Sequence, residues 1–214
     1  MTAGISEQAR RIVVQEHLRI ENTLLDDVVD AIQAKLEIDI AILGSLTGLL
    51  NASNQVSRDK FNTFYESVIL HTREPQGVQG IGFARWIPAT ELTTFESRIR
   101  TERFPDFSVH PPGPRQSYSA IELLEPFDGR NQRAFGYDMY SEPIRREAMQ
   151  RAAESGRAAL SGKVRLIQET EQDLQQGALL YLPVYGDKEL PTQANKRRLV
   201  GWTYTELRLK DLAK

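Results

Sequence analysis

Residues 134–156 read AFGYDMYSEPIRREAMQRAAESG, and the character of the chain changes inside this stretch. Ala134 to Tyr140 mixes aromatic and apolar residues and predicts a strand. Ser141-Glu142-Pro143 then supplies cap, acid and proline in the order that opens a helix, and Gly156 closes it. Ile144, Ala148 and Ala152 recur at four-residue steps and predict the buried stripe of that helix.

Short strands are expected on both sides of this unit. Downstream they are Ala158 to Leu160, Val164 to Ile167, Ala178 to Tyr185 and Leu199 to Leu207, with a loop from Gly186 to Lys196 dividing the last two. Upstream, Val78 to Trp86 reads as a strand. A helix follows from Pro88-Ala89-Thr90 to about Arg103, with Leu92, Phe95 and Ile99 as its core face. Phe107 to His110 reads as a short strand stopped by Pro111-Pro112-Gly113-Pro114, which fits neither a helix nor a central strand. Tyr118 to Leu124 is strand-like, and Glu125 to Asn131 is a loop by its turn residues. Several short strands around two or three helices predict an α+β domain on an antiparallel sheet.

The N-terminal quarter has a different period. No proline occurs from Ile5 to Leu50, and apolar residues recur at three- and four-residue steps through Leu18, Leu25, Val28, Ile32, Leu36, Leu43 and Leu46. This predicts one long helix, with two shorter helices broken near Asn22-Thr23 or Gly44-Ser45 as the alternative. About 40 helical residues extend about 60 Å, further than one small domain buries, so the helix is read as a stalk that pairs with a second copy. A further helix is expected from Phe61 to Arg73. The domain division is therefore 1–58 for the stalk and 59–214 for the globular part.

Composition narrows the function. The chain has 214 residues, 27 basic and 29 acidic side chains, a formal charge of -2 and no cysteine. A balanced charge excludes a general nucleic-acid binder, and the short basic runs Arg145-Arg146 and Lys196-Arg197-Arg198 read as solvated. Disulfides, thiolate metal sites and cysteine nucleophiles are excluded. No signal-peptide pattern opens the chain and no run of 18 apolar residues occurs, so this segment is expected to be soluble. His17, His71 and His110 are dispersed, with no second metal ligand at helical or strand spacing. No nucleophile elbow, phosphate loop or dinucleotide fingerprint is present. Neither a catalytic site nor a cofactor is expected.

From Phe61 to Leu207 the chain resembles the CHASE family of extracytoplasmic sensor domains. The resemblance is carried in order by Phe61-x-x-Phe64, Pro75, Gly80-Ile81-Gly82-Phe83-Ala84-Arg85, Phe95-Glu96, Tyr118, and Glu125-Pro126 with Asn131. It continues through Gly136-Tyr137-Asp138-Met139, Ser141-Glu142-Pro143-Ile144-Arg145-Arg146, Ala152, Gly156, Leu166-x-Gln168-Glu169 and Leu182-Pro183-Val184-Tyr185. It implies a long N-terminal helix followed by a PAS-like domain whose antiparallel sheet cups a small ligand. It also implies flanking membrane helices, a cytoplasmic histidine kinase or diguanylate cyclase output, and a periplasmic location on an inner-membrane receptor. Plant members bind cytokinins, which are adenine derivatives, through an acidic side chain near the position of Glu125 and a threonine at the position of Ser161. The loop length differs at Glu125, so the ligand class stays open between an adenine derivative and another small polar organic molecule.

Candidate ligand contacts follow. Glu125 is a rim carboxylate able to accept paired N–H donors, or a loop acid satisfying its own turn. Asn131 closes the loop or donates to ligand. Asp138 faces the pocket, caps the next helix or pairs with Arg145. Ser161 and Gln168 flank a strand pair, and alternation puts Gln168 on the same face as Val164 and Leu166. Phe83, Tyr118, Met139 and Tyr181 supply apolar walls, with core packing as their other reading. Two functions compete: a small-molecule sensor, and a protein-interaction module with the same fold and no working pocket.

Overall fold

A computed structural model of the chain describes residues 2–53, 55–71, 80–129, 131–165, 176–186 and 198–208, with backbone alone for 2–18, 20–22, 69, 71, 176 and 208. The chain forms two compact units, Met1–Ile38 and Asp39–Leu212. Helix α1 is continuous from Thr2 to Ala52. It runs through Gly44 and Gly48, where an added Cβ would meet nothing, so these glycines mark neither a close approach nor a break. In the first unit Leu24, Leu25, Val28 and Val29 are 44–63% exposed. None of the described helices is long and apolar enough to cross a membrane.

The second unit contains the last turns of α1, then α2 (Arg58–His71), β1 (Ile81–Pro88), α3 (Leu92–Thr101), β2 (Ser117–Glu125) and α4 (Pro143–Ser155). The strands β3 (Ala159–Leu160), β4 (Val164–Arg165), β5 (Gln176–Tyr185) and β6 (Leu199–Arg208) follow. All pairings are antiparallel, in the order β2-β1-β6-β5-β3, with β4 also on β5. This is the expected α+β, PAS-like arrangement. Its two central strands, β1 and β6, have Ile81 opposite Thr205 and Ala84 opposite Trp202.

Each face of the sheet has its own cover. One packs Ile81, Phe83, Leu123 and Val184 against Leu46 of α1 and Phe61 of α2. Toward the β2 edge the same face continues as Ile87, Tyr118 and Ala120 against Phe95 and Ile99 of α3. The other face packs Ala84, Ile121, Leu124, Leu179, Tyr181, Trp202 and Tyr204 against Met139 and against Ala148, Met149 and Ala152 of α4. Each fully buried Leu, Ile or Phe contributes on the order of 1.5–3 kcal/mol.

Helix α4 starts one residue later than its serine suggests. Glu142 is the N-cap, its carboxylate accepting from the backbone N–H of Ile144 (3.0 Å) and Arg145 (2.9 Å), with Pro143 in the first turn. Gly156 ends the helix in the left-handed conformation, φ 68°. The buried stripe is Arg145, Ala148, Met149 and Ala152, while Ile144 is 40% exposed. Ala148 and Ala152 are buried as expected, while Arg145 takes the place in the core expected of Ile144.

The strand expected at Ala134 to Tyr140 is not formed. Short 3-10 turns at Asn131–Ala134 and Met139–Ser141 flank two isolated bridges, Tyr137 to His110 and Asp138 to Ala120. Gly136 (φ 86°) has no room for a Cβ, which would lie 2.7 Å from the Ser108 carbonyl, and the backbone turns there. Phe107 to His110 likewise contributes only the bridge at His110.

Candidate functional site

The register assigns side chains to faces. Gly82, Ala84 and Trp86 of β1 share the α4-facing side with Trp202, Tyr204 and Glu206 of β6 and with Leu179 and Tyr181 of β5. Alternation sends Thr203 and Thr205 to the opposite side. Tyr181 and Tyr204 stand directly across from each other, with ring centroids 6.4 Å apart. Both are fully buried, and among the described residues neither hydroxyl has a hydrogen-bond partner. Burial pushes both phenols above the ordinary tyrosine range, so each stays a hydroxyl and a donor. Gly82 makes room for this pair: a Cβ there would lie 2.4 Å from the Tyr204 ring.

Arg145 of α4 turns toward the same face and is 3% exposed. One terminal nitrogen donates to the Arg165 carbonyl of β4 (2.8 Å), and the guanidinium lies 5.1 Å from the Tyr137 ring centre. Its Nε has no hydrogen-bond partner, and the nearest carboxylate oxygen, Glu142 Oε2, is 3.9 Å away. Glu206 and Arg145 both lie near enough to the two buried tyrosines to act on their titration, in opposite directions. Below the sheet, Trp202 Nε1 donates to the Met149 carbonyl (3.0 Å), and Trp86 meets Tyr140 and Trp202 edge-on. The arrangement is a low-dielectric wall of aromatic rings bearing one cation and two hydroxyl donors with unfilled capacity. Such donors are costly unless something accepts from them.

Asp138 anchors the segment that closes this face. It is fully buried, and Oδ1 accepts from the backbone N–H of Ser119 (2.7 Å) and Tyr140 (3.1 Å). Its other oxygen faces Arg115 Nε at 3.5 Å, so its ion-pair partner is Arg115 and not Arg145. Burial holds its carboxyl above the ordinary aspartate value despite these contacts.

The sequence-derived candidates divide between the two faces. Met139 and Tyr181 lie in the α4-facing cluster. Phe83 and Tyr118 lie on the opposite face, and the Tyr118 hydroxyl bridges the Gly113 carbonyl and the Arg115 N–H. Glu125, paired with Ile81, is also on that side. It accepts from the Phe127 N–H (2.9 Å) and from Asn62, and burial raises its carboxyl. Asn131 donates to the Pro126 carbonyl (2.7 Å) and closes the loop. Ser161 at the end of β3 accepts from Leu179 N–H and donates to the Gly162 carbonyl. Gln168 lies outside the described residues.

Among the described residues, two open clefts of ligand size lie elsewhere. One, ≈ 460 Å³, is lined by Phe104, Phe107, Phe127 and Phe135 with a lip of Asp106 and Gln132. The other, ≈ 450 Å³, is lined by Arg58, Arg98, Glu102 and Glu122. The second is walled by ion pairs: Glu122 is held by Arg85 and by Arg98 (2.7 Å), and Arg98 also holds Glu102 (2.9 Å). The Arg58 guanidinium, which lines the second, sits 4.5 and 4.4 Å from the Phe104 and Phe135 ring centres.

Comparison with protein-family profiles matches residues 54–214 to the CHASE domain. The chain belongs to the CHASE domain family. As a CHASE domain it is an extracytoplasmic sensor module of a receptor, in accord with the resemblance carried by Gly80 to Arg85 and Gly136 to Arg146. The periplasmic sensory domain of the Campylobacter jejuni chemoreceptor Tlp1 shares the fold, with a TM-score of 0.50 at 10% identity. The alignment covers 90% of this chain and 59% of that one, so this CHASE chain spans well under two thirds of its neighbour. No curated protein matches it in sequence.

Neither Tyr204 nor Arg145, which lie on the α4-facing side of this CHASE domain, is among the sequence-derived candidates. The signal for Tyr204 is the alternation Trp202, Tyr204, Glu206, which puts two aromatic rings and an acid on one face of one strand. Arg145 carried no such signal, because a hydropathic stripe assigns arginine to solvent.

Proposed function

We propose that this CHASE domain senses a small polar organic molecule on the α4-facing side of its sheet and relays occupancy to helix α1. The parent protein is a membrane-anchored receptor of histidine kinase or diguanylate cyclase type. The observation that carries the reading is the alternation of β6: Tyr204, one of the unfilled donors, and Trp202 lie on the α4-facing side, while Thr203 between them meets Thr47 of α1, oxygen to oxygen, at 3.1 Å. A displacement of β6 by ligand reaches α1 through one backbone. Ligand biases such an element only by binding its two arrangements unequally.

The exposed Leu24, Leu25, Val28 and Val29 support pairing of the N-terminal helix with a second copy, since adjacent apolar residues at helical spacing form a seam. We keep the domain division as stalk and sensor, with the function carried by the sensor and no catalytic role.

The test is a thermal-shift screen of the purified chain against purines, cytokinins, amino acids, organic acids and amines. A compound at 100 times its dissociation constant stabilises the fold by about 2.7 kcal/mol. A shift diminished in Tyr204→Phe and retained in Glu125→Gln supports the proposed face. A broad library with no shift turns the reading to a protein-interaction module.

A further inference from the structure

Resting on the sensor reading above, we infer that the α4-facing site takes a monoanionic carboxylate, held by Arg145 together with the Tyr181 and Tyr204 hydroxyls. Three buried donors lie on this side without acceptors: Arg145 Nε, Tyr181 Oη and Tyr204 Oη. Tyr181 and Tyr204 are paired residues of β5 and β6, and Arg145 lies on the stripe of α4 that packs against those strands. A phenol is either donor or acceptor, but a guanidinium only donates. A group that satisfies all three at once must therefore be an acceptor with several lone pairs. A carboxylate presents two oxygens and about four acceptor sites, and a guanidinium edge matches it in plane.

Charge selects among acceptors. The guanidinium is buried, and its Nε lies 3.9 Å from the Glu142 carboxylate, beyond a direct hydrogen bond. Glu206, on the same sheet face, has an interaction partner of its own. One incompletely matched positive charge in a low-dielectric setting accepts one negative charge, and a dianion would bring a second charge onto a face that already buries Glu206. A neutral amide would satisfy part of the donor set and leave the cation unbalanced. A protonated amine brings only donors, and an adenine edge sets an amino donor beside each acceptor nitrogen and leaves the cation unbalanced.

The experiment is isothermal titration of the purified chain with propionate, pyruvate and benzoate, each beside its neutral primary amide, and with inorganic phosphate. The inference expects at least one monocarboxylate to bind at least about tenfold more tightly than its amide and than phosphate. It expects Tyr181→Phe and Tyr204→Phe each to weaken that binding about tenfold while leaving the Tm of the free protein unchanged or raised. Removing a hydroxyl that has no partner costs the free fold nothing, whereas removing a bonded one does. A fall of several degrees in both free variants overturns the premise that the hydroxyls are unfilled. A neutral or cationic compound from the broad screen whose binding requires Tyr204, with no carboxylate binding, overturns the carboxylate class and leaves the sensor reading intact. Silence from carboxylates and the whole library alike overturns both.

Discussion

The hydroxyl of Thr47 in α1 lies 3.1 Å from the hydroxyl of Thr203 in β6, and Thr203 Oγ1 also reaches the Leu43 carbonyl at 3.4 Å. This fully buried threonine ties the last turns of α1 to the centre of the sheet. Its neighbours along the strand, Trp202 and Tyr204, face the other way. Position on β6 is thus read on both sides of the sheet at once.

Thr47→Val and Thr203→Val should each destabilise the chain by about 0.5–1.5 kcal/mol, the usual net contribution of one hydrogen bond. If the two hydroxyls bond chiefly to each other, the double variant should cost less than the two singles together, a coupling of at least about 0.5 kcal/mol. Urea denaturation of the four proteins measures this. Strict additivity would show that the two hydroxyls are not bonded to each other.

Gly82→Ala should destabilise the chain by about 1–3 kcal/mol, as overpacking does, because its Cβ would lie 2.4 Å from the Tyr204 ring. The Tyr204 ring must move to accommodate it. The emission of Trp202, two residues along the same face, should shift as well. A variant as stable as the parent with unchanged fluorescence would show that Gly82 does not set the position of Tyr204.

Burial holds the carboxyls of Asp138 and Glu125 above their ordinary values. An acid whose folded pKa exceeds its unfolded one binds protons more tightly when native, so stability falls as pH rises through the interval between them. That interval opens near pH 4, where unfolded carboxyls titrate, and ends at the raised folded values. The stabilising contribution is complete below the interval and lost above it. Asp138→Asn and Glu125→Gln should each flatten the loss of stability with rising pH above about pH 4, as urea midpoints across the series will register. A steeper decline in the variants would reverse the assigned direction.

Much of this architecture is legible in the sequence, and what is not has identifiable causes. The length of α1 follows from its unbroken period, and the limits of α4 follow from Glu142-Pro143 and Gly156. β1, β2, β5 and β6 fall within a few residues of their expected bounds. The segment Ala134 to Tyr140 misleads because its aromatic content suits a strand, while Gly136 at φ 86° and the cap made by Asp138 fold it into turns. Which side of the sheet each candidate occupies was not legible. Phe83 and Met139 are both apolar, yet they cover opposite faces. A bulge between Phe83 and Ala84 adds one β2 residue, so alternation in β2 cannot be counted straight through. The exposed Ile144 and the buried Arg145 exchange their hydropathic places because Arg145 finds the Arg165 carbonyl and the Tyr137 ring.

The seam of Leu24, Leu25, Val28 and Val29 makes the N-terminal helix the expected contact between two copies. Sedimentation velocity should give a dimer for the parent chain and a shift toward monomer for Leu25→Asp with Val29→Asp. A monomeric parent chain at the same concentration would remove the stalk-pairing reading.

The central claim is that occupancy on the α4-facing side is felt by α1 through β6. Hydrogen exchange with and without the strongest stabilising compound from the screen measures this directly. The account predicts added protection in β5 and β6 around Tyr181 and Tyr204, and a change in the amides of residues 43–52 of α1. Protection confined to the phenylalanine-lined cavity around Phe104 and Phe135, or to the Glu125 turn, with α1 unaltered, would contradict it.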